Sequence, residues 1–314
     1  MNISLARAAV IGATGPTGRD LVRELRRRHV AVRAVSRSAE NLDRCFADDA
    51  SVERQPADAL DATAVRNAVA DCDLVVDCIG LPPDQIDQHA PTARNVVEAA
   101  GATGAYCLQV SSFWSFLPVR YLPLDEHHPR EDGNRYARAR RAAEDVMLAA
   151  GAAVVHLPDF FGPGVHTSTL QLPLTEAAAG KTMNWIGARD VPREYAYVPD
   201  AMATVADLAL RSEAYGNSWI VPGSGPLTAI DVEAIATQHL GREVTARSAP
   251  GWLLKTLGLV SRDLRAFRPI LDDYLQPIGY DARRLEDLLG PVHRTPYAEA
   301  IPATLDWLRE ARAG

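Results

Sequence analysis

The chain has 314 residues, 47% of them hydrophobic and 23% charged, which is enough apolar material for a large core and excludes disorder as its general state. Its 40 acidic residues outnumber 33 basic ones, and the formal charge of -7 excludes a chiefly electrostatic nucleic-acid binder. Four scattered cysteines without a Cys-x-x-Cys pair, and no run of about 20 apolar residues, predict free thiols in a soluble, cytoplasmic protein that does not enter a membrane.

In chain order, Ala8-Ala9-Val10-Ile11 reads as a first strand, and Leu21, Val22 and Leu25 mark a helix over 16–28. Arg23, Arg26, Arg27 and Arg28 gather toward the end of that helix, where cations offset the negative end of the macrodipole and stay solvated. Val30 to Val35 is a second strand, and 51–54, 73–79 and 105–110 are further strands, separated by helical stretches at 62–70 and 92–100. This alternation predicts an α/β fold with a doubly wound parallel sheet. A longer helix starts near Asn134 and stops at Gly151, and 154–157 is a sixth strand. We place a dinucleotide-binding domain at 1–157 and a smaller, mainly substrate-binding region at 158–314, where glycines and prolines punctuate short elements. The segment near 194–212 is placed to return to the first domain. An amphipathic pattern over 252–275 is suited to cover a site or to pack between subunits, so a homodimer is compatible.

Between the first strand and its helix stands Gly12-Ala13-Thr14-Gly15-Pro16-Thr17-Gly18. A glycine-rich turn in that context holds a pyrophosphate: two glycines let the backbone turn and approach the phosphates, the third lets helix and strand pack closely, and Pro16 fits an early helical position. The end of the second strand sets the cofactor type. An Asp or Glu there bonds the ribose 2′-hydroxyl of NAD, whereas an Arg accommodates the 2′-phosphate of NADP. Here the residues are Ser36 and Arg37, and no acid occurs between Glu24 and Glu40. NADP(H) is the preferred cofactor, with NAD(H) as the alternative. His127-His128 after Asp125-Glu126 carries no metal-ligand spacing, and no metal site is expected. Phe113, Trp114, Phe116, Trp185 and Tyr195 are candidates for an apolar substrate pocket.

Together these features resemble an extended or atypical short-chain dehydrogenase/reductase with a Rossmann-type nucleotide domain. The resemblance implies adenine contacts from Asp58 and Ala59 in Pro56-Ala57-Asp58-Ala59, and further cofactor contacts from Cys78, Ile79 and Gly80. Val110-Ser111-Ser112 is similar to the strand end that supplies the family's catalytic Ser, and family position favours Ser112. Tyr136-Ala-Arg-Ala-Arg140 resembles the Tyr-x-x-x-Lys helix, with Arg in place of Lys. Pro158, Phe160 and Phe161 resemble the stretch lining the nicotinamide. These residues imply a reductase or dehydrogenase acting on a carbonyl or alcohol of a small molecule, with Tyr136 as proton donor, Ser112 orienting the oxygen and Arg140 holding ribose and tuning Tyr136. An epimerase or dehydratase with retained nucleotide and a non-catalytic NADP(H)-sensing regulator are the alternatives. Arg140 is the feature that favours the regulator, because a guanidinium stays charged and cannot relay a proton.

Overall fold

The computed structural model describes residues 2–130, 133–249 and 268–313. Strand β1 (Arg7–Ile11) leads into helix α1 (Pro16–Arg27). The alternation continues through β2 (Ala31–Ser36), α2 (Ala39–Phe46), β3 (Val52–Pro56), α3 (Ala62–Val69), β4 (Leu74–Asp77) and α4 (His89–Thr103) to β5 (Tyr106–Ser112), α5 (Arg135–Ala149) and β6 (Ala153–Leu157). Then follow β7 (Asp159–Phe161), α6 (Gln171–Ala178), β8 (Met183–Ile186), β9 (Arg193–Tyr197), α7 (Val198–Ala209), β10 (Ser218–Ile220) and β11 (Pro226–Leu227). The chain ends with α8 (Ala229–Leu240), β12 (Ala246–Ala249), α9 (Leu271–Tyr274), α10 (Arg283–Leu289) and α11 (Tyr297–Ala313).

Seven strands form one parallel sheet in the order β3-β2-β1-β4-β5-β6-β10. Side-chain alternation along β1 shows why both faces are covered. Ala8 and Val10 join Leu21, Leu25 and Val205 in one core, while Ala9 and Ile11 join Val65, Val96 and Met147 in another. Leu21 and Leu25 are fully buried, each contributing roughly 1.5–3 kcal/mol of transfer free energy. The sheet is thus doubly wound. Strand order reverses between β1 and β4, which opens a crevice at the carboxyl edge where ligands of such sheets bind.

The second half of the chain supplies a three-stranded sheet, β11-β9-β7, and a two-stranded one, β12-β8. A third core joins them to α6, α8 and α11 through Leu174, Trp185, Tyr195, Val232 and Ile301. Helix α7 lies against α1, where Arg28 donates to the Ala203 carbonyl (3.0 Å) and the Asp207 carboxylate (2.7 Å), and β10 extends the main sheet beside β6. Residues 252–267, most of the amphipathic 252–275 pattern, lie outside the described residues; of the remainder, Leu271 and Tyr274 are buried. Among the described residues no helix is long and apolar enough to cross a membrane.

Candidate functional site

The three glycines of the first turn do different work. Gly12 has φ +83°, and a Cβ there would stand 2.7 Å from the Cys78 carbonyl oxygen. A Cβ on Gly18 would meet the backbone of Gly12 and Ala13, with the Ala13 Cα at 2.7 Å. At Gly15 the same atom would touch only the Gly12 carbonyl oxygen, at 3.4 Å. The outer glycines therefore serve close packing within the fold, and Gly15 leaves the turn open to approach. Pro16 opens α1, and the N–H groups of Thr17 and Gly18 fall in its first turn, where no helical carbonyl precedes them. This arrangement fits the pyrophosphate of a dinucleotide.

Next to that turn, Thr14 Oγ1 lies 3.0 Å from Ser36 Oγ, tying it to the end of β2. Arg37 is exposed and, among the described residues, makes no hydrogen bond or ion pair. Asp58 is exposed and accepts from the Leu60 N–H (3.0 Å), so it shapes a turn; the cap of α3 is Asp61, which accepts from Thr63 and Ala64. Ala59 is buried, and its carbonyl accepts from Asn95 Nδ2 (2.9 Å). Cys78 presents its carbonyl to Gly12 while its thiol is buried, and burial pushes that thiol well above its ordinary pKa. The Ile79 N–H donates to Asp77 Oδ1 (2.9 Å), and Gly80 is exposed with open space around its Cα. Pro158 is buried and Phe160 half-buried. The Phe161 ring is fully buried in the third core beside Tyr197 and Tyr297, which leaves only its backbone for a contact with a bound molecule.

Ser112 ends β5 and caps a single turn of 3-10 helix, Phe113–Phe116, by accepting from the Trp114 N–H (3.3 Å). Tyr136 stands in the first turn of α5, where Asn134 Oδ1 accepts from its N–H (2.9 Å) and from that of Ala137 (3.1 Å). Trp114 joins the two residues, since its ring meets that of Tyr136 edge-on with centroids 5.4 Å apart. Its Nε1 donates to Tyr274 Oη (3.0 Å). Burial pushes the Tyr136 phenol above its ordinary value near 10, opposed by the charge of Arg135. Of the aromatics expected to line a pocket, Trp114 alone is half-buried. Phe113 and Phe116 are buried around it, and Trp185 and Tyr195 belong to the third core.

Arg140 is turned toward different partners from Tyr136. Burial lowers its pKa, and the carboxylates of Glu144 and Asp77 pull it back up. Its Nε is buried, and among the described residues it has no hydrogen-bond partner. Arg140 also acts on His89: burial, then the Arg140 charge, hold that imidazole down at about 2, so it is neutral at physiological pH. Asp77 is itself held by Gln109 Nε2 (3.2 Å) and the Ile79 N–H, and burial raises its pKa. Deeper still, Glu144 accepts from Ser111 Oγ (2.5 Å) and Arg130 (2.6 Å), with His156 Nε2 at 3.3 Å. Burial works against this carboxylate, but His156, Arg130 and Ser111 together hold it at about 2. Ser111 is thereby occupied with Glu144, whereas Ser112 faces Trp114.

Sequence reasoning did not single out Asp77, Gln109, His89 or the Glu144 network. A signal was present: Asp77 and Gln109 are polar residues inside otherwise apolar strands, and the register pairs them directly across β4 and β5.

Residues 12–156 match the model of a family described as NAD(P)H-binding. No curated protein sequence matches the chain. Solved structures similar over nearly the full length include a protein of Burkholderia cenocepacia J2315 provisionally described as an epimerase. It has a TM-score of 0.79 and 23% identity, over 97% of this chain and 98% of that one. The epimerase of Methanothermobacter thermautotrophicus gives 0.80 and 16% over 98% and 93%. The UDP-glucuronic acid 4-epimerase of Bacillus cereus, solved with NAD, gives 0.79 and 13% over 97% and 99%. At these identities the likeness is one of fold.

Proposed function

We propose, on the premise that residues 12–156 form an NAD(P)H-binding domain within a fold of the extended short-chain dehydrogenase/reductase type, that the chain is an NADP(H)-dependent oxidoreductase. Its substrate is a carbonyl or alcohol of a small, partly apolar molecule. One observation carries this reading: the open glycine turn, the end of β4, and Ser112 with Tyr136 all lie along the carboxyl edge of one sheet, beside the point where strand order reverses.

NADP(H) over NAD(H) rests on Arg37, an exposed cation one residue past β2 without an ion pair among the described residues, and on the absence of an acid between Glu24 and Glu40 at the end of β2, where one would take a ribose 2′-hydroxyl. Asp58, Ala59, Ile79 and Gly80 flank the adenine side, and Pro158 and Phe160 the nicotinamide side. The nicotinamide these residues would hold would supply hydride chemistry at the substrate carbon. Tyr136, protonated at neutral pH because burial raises its pKa, donates its phenolic proton to the substrate oxygen. Ser112 Oγ orients that oxygen. The buried Nε of Arg140 is a donor in want of an acceptor, which suits it to a ribose hydroxyl. The carboxylates of Glu144 and Asp77 act on Arg140, and we assign it to cofactor holding.

A second reading, an epimerase or dehydratase that keeps its nucleotide through the cycle, is favoured by the full-length similarity to structures described as epimerases. The two separate experimentally: nucleotide retained through purification and unchanged by turnover supports the second. Stoichiometric NADPH oxidation against a panel of aromatic and aliphatic carbonyls supports the first. In that assay Tyr136→Phe abolishes turnover while NADPH still binds; unchanged turnover would remove Tyr136 from the reaction.

A further inference from the structure

The arginines of α1 are not all explained by the helix macrodipole. Arg26 and Arg27 stand in the last turn, where a cation offsets the negative end, but Arg19 stands in the first turn, where the macrodipole favours anions, and Arg23 stands between the two ends. Arg19, Arg23 and Arg26 recur at i, i+4 and i+7, so they form one stripe along the side of α1 turned away from the sheet. That stripe lines a cleft of about 720 Å³ together with Cys45 and Phe46 of α2 and Trp307 of α11. The volume falls within the range of small-molecule sites.

Its charge is opposite in sign to that of the chain. Four arginines line it against two carboxylates, Asp20 and Asp49, in a protein of net charge -7. Two of the arginines have partners on their own helix: Arg23 pairs with Asp20 (2.6 Å) and Arg27 with Glu24 (2.6 Å). Arg19 donates to the Gly164 carbonyl (2.9 Å). Arg26 makes no hydrogen bond or ion pair among the described residues, and its Nε is buried. A buried guanidinium donor without an acceptor is costly unless a ligand supplies one. Half of the lining is apolar or aromatic, with Phe46, Tyr197 and Trp307 providing ring surfaces. None of the glycine turn, Ser36, Arg37, Ser112 or Tyr136 borders the cleft, so it is separate from the dinucleotide crevice.

We infer that this cleft is a second ligand site, which takes a small aromatic anion carrying a phosphate or carboxylate group. The anionic group sits on Arg26 and Arg23, and the ring sits between Phe46 and Trp307. The size of the cleft, about 720 Å³, suits a small molecule.

The test is a calorimetric titration of the full chain with 2-naphthyl phosphate, run with and without saturating NADPH, alongside inorganic phosphate and 2-naphthol. The inference predicts saturable binding of 2-naphthyl phosphate that NADPH does not displace, tighter than either half alone and weaker at high salt. Arg26→Gln should weaken it by about tenfold or more, through loss of a hydrogen bond to a charged group. Trp307→Leu should weaken it as well, and in both variants NADPH affinity stays within about twofold, a margin well under the tenfold step of 1.4 kcal/mol. Displacement by NADPH, affinity unchanged in both variants, or no saturable binding would overturn the second site. NADPH binding measured in the same samples shows separately whether the dinucleotide reading stands.

Discussion

Among single residues, Tyr136 and Arg140 are proposed to divide the labour that a Tyr-x-x-x-Lys pair would share. Burial raises the Tyr136 phenol and the Arg135 charge opposes it, with a net rise, so it keeps its proton through neutral and moderately alkaline pH. A proton donor with a raised pKa loses activity only as pH rises through that pKa. The rate of carbonyl reduction is therefore expected to stay level up to at least the ordinary phenol value near 10 and to fall beyond it. A kcat profile that falls near pH 7 would show that another group gives the proton. Arg140 is predicted to act on binding. Arg140→Gln should weaken NADPH by about tenfold through loss of a charged hydrogen-bond donor, and leave the alkaline limb of the kcat profile in place. A shifted limb in that variant would instead make Arg140 the residue that sets the Tyr136 pKa.

Helix α5 carries the site at the scale of elements. It is fastened at its start by Asn134, which caps Tyr136 and Ala137, and along its length by Glu144, which reaches Ser111 on β5 and His156 on β6. Asn134→Ala removes the cap, a loss of about 1 kcal/mol, and because the frayed turn holds Tyr136, kcat is expected to fall more than the melting temperature suggests. A full kcat with a lowered melting temperature would show that the first turn is held by other contacts. Glu144 gives a pH signature. Its carboxyl is held at about 2 against an ordinary 4.5, so its contribution is complete above pH 4.5 and is lost as pH falls toward 2. Glu144→Gln should cost about 2 to 3 kcal/mol at neutral pH, and the difference in denaturant stability should shrink between pH 4.5 and pH 2. A difference that does not change with pH over that window would mean the cost is one of packing.

For the whole molecule, what the sequence made legible follows the strength of its local signals. Strand β1 was readable from its apolar run, and α1 and α5 because each combines an apolar period with a bounding glycine or an Asn cap. Helix α2 was not expected, since eight residues with only Leu42 and Phe46 buried carry little periodicity. Strand β10 has three residues, Ser218-Trp219-Ile220, too short for any alternation to show; only its partner β6 makes it a strand. The glycine turn, Ser112 and Tyr136 were legible because motif spacing encodes them. The environment of Arg140 was not, because Asp77 and Glu144 come from different elements and meet it only in three dimensions. Likewise Phe161 was a candidate for ligand contact by resemblance and Trp185 by residue type, and burial places both side chains in a core.

The central claim is that the carboxyl edge of this sheet holds NADP(H), with Arg37 at the 2′-phosphate. Titrating the purified protein with NADPH and with NADH, followed by tryptophan quenching and energy transfer to the nicotinamide, tests it most directly. NADPH should bind more tightly than NADH, with a preference that disappears in Arg37→Ala; equal binding of the two nucleotides would remove Arg37 from the 2′-phosphate, and binding of neither would overturn the site itself.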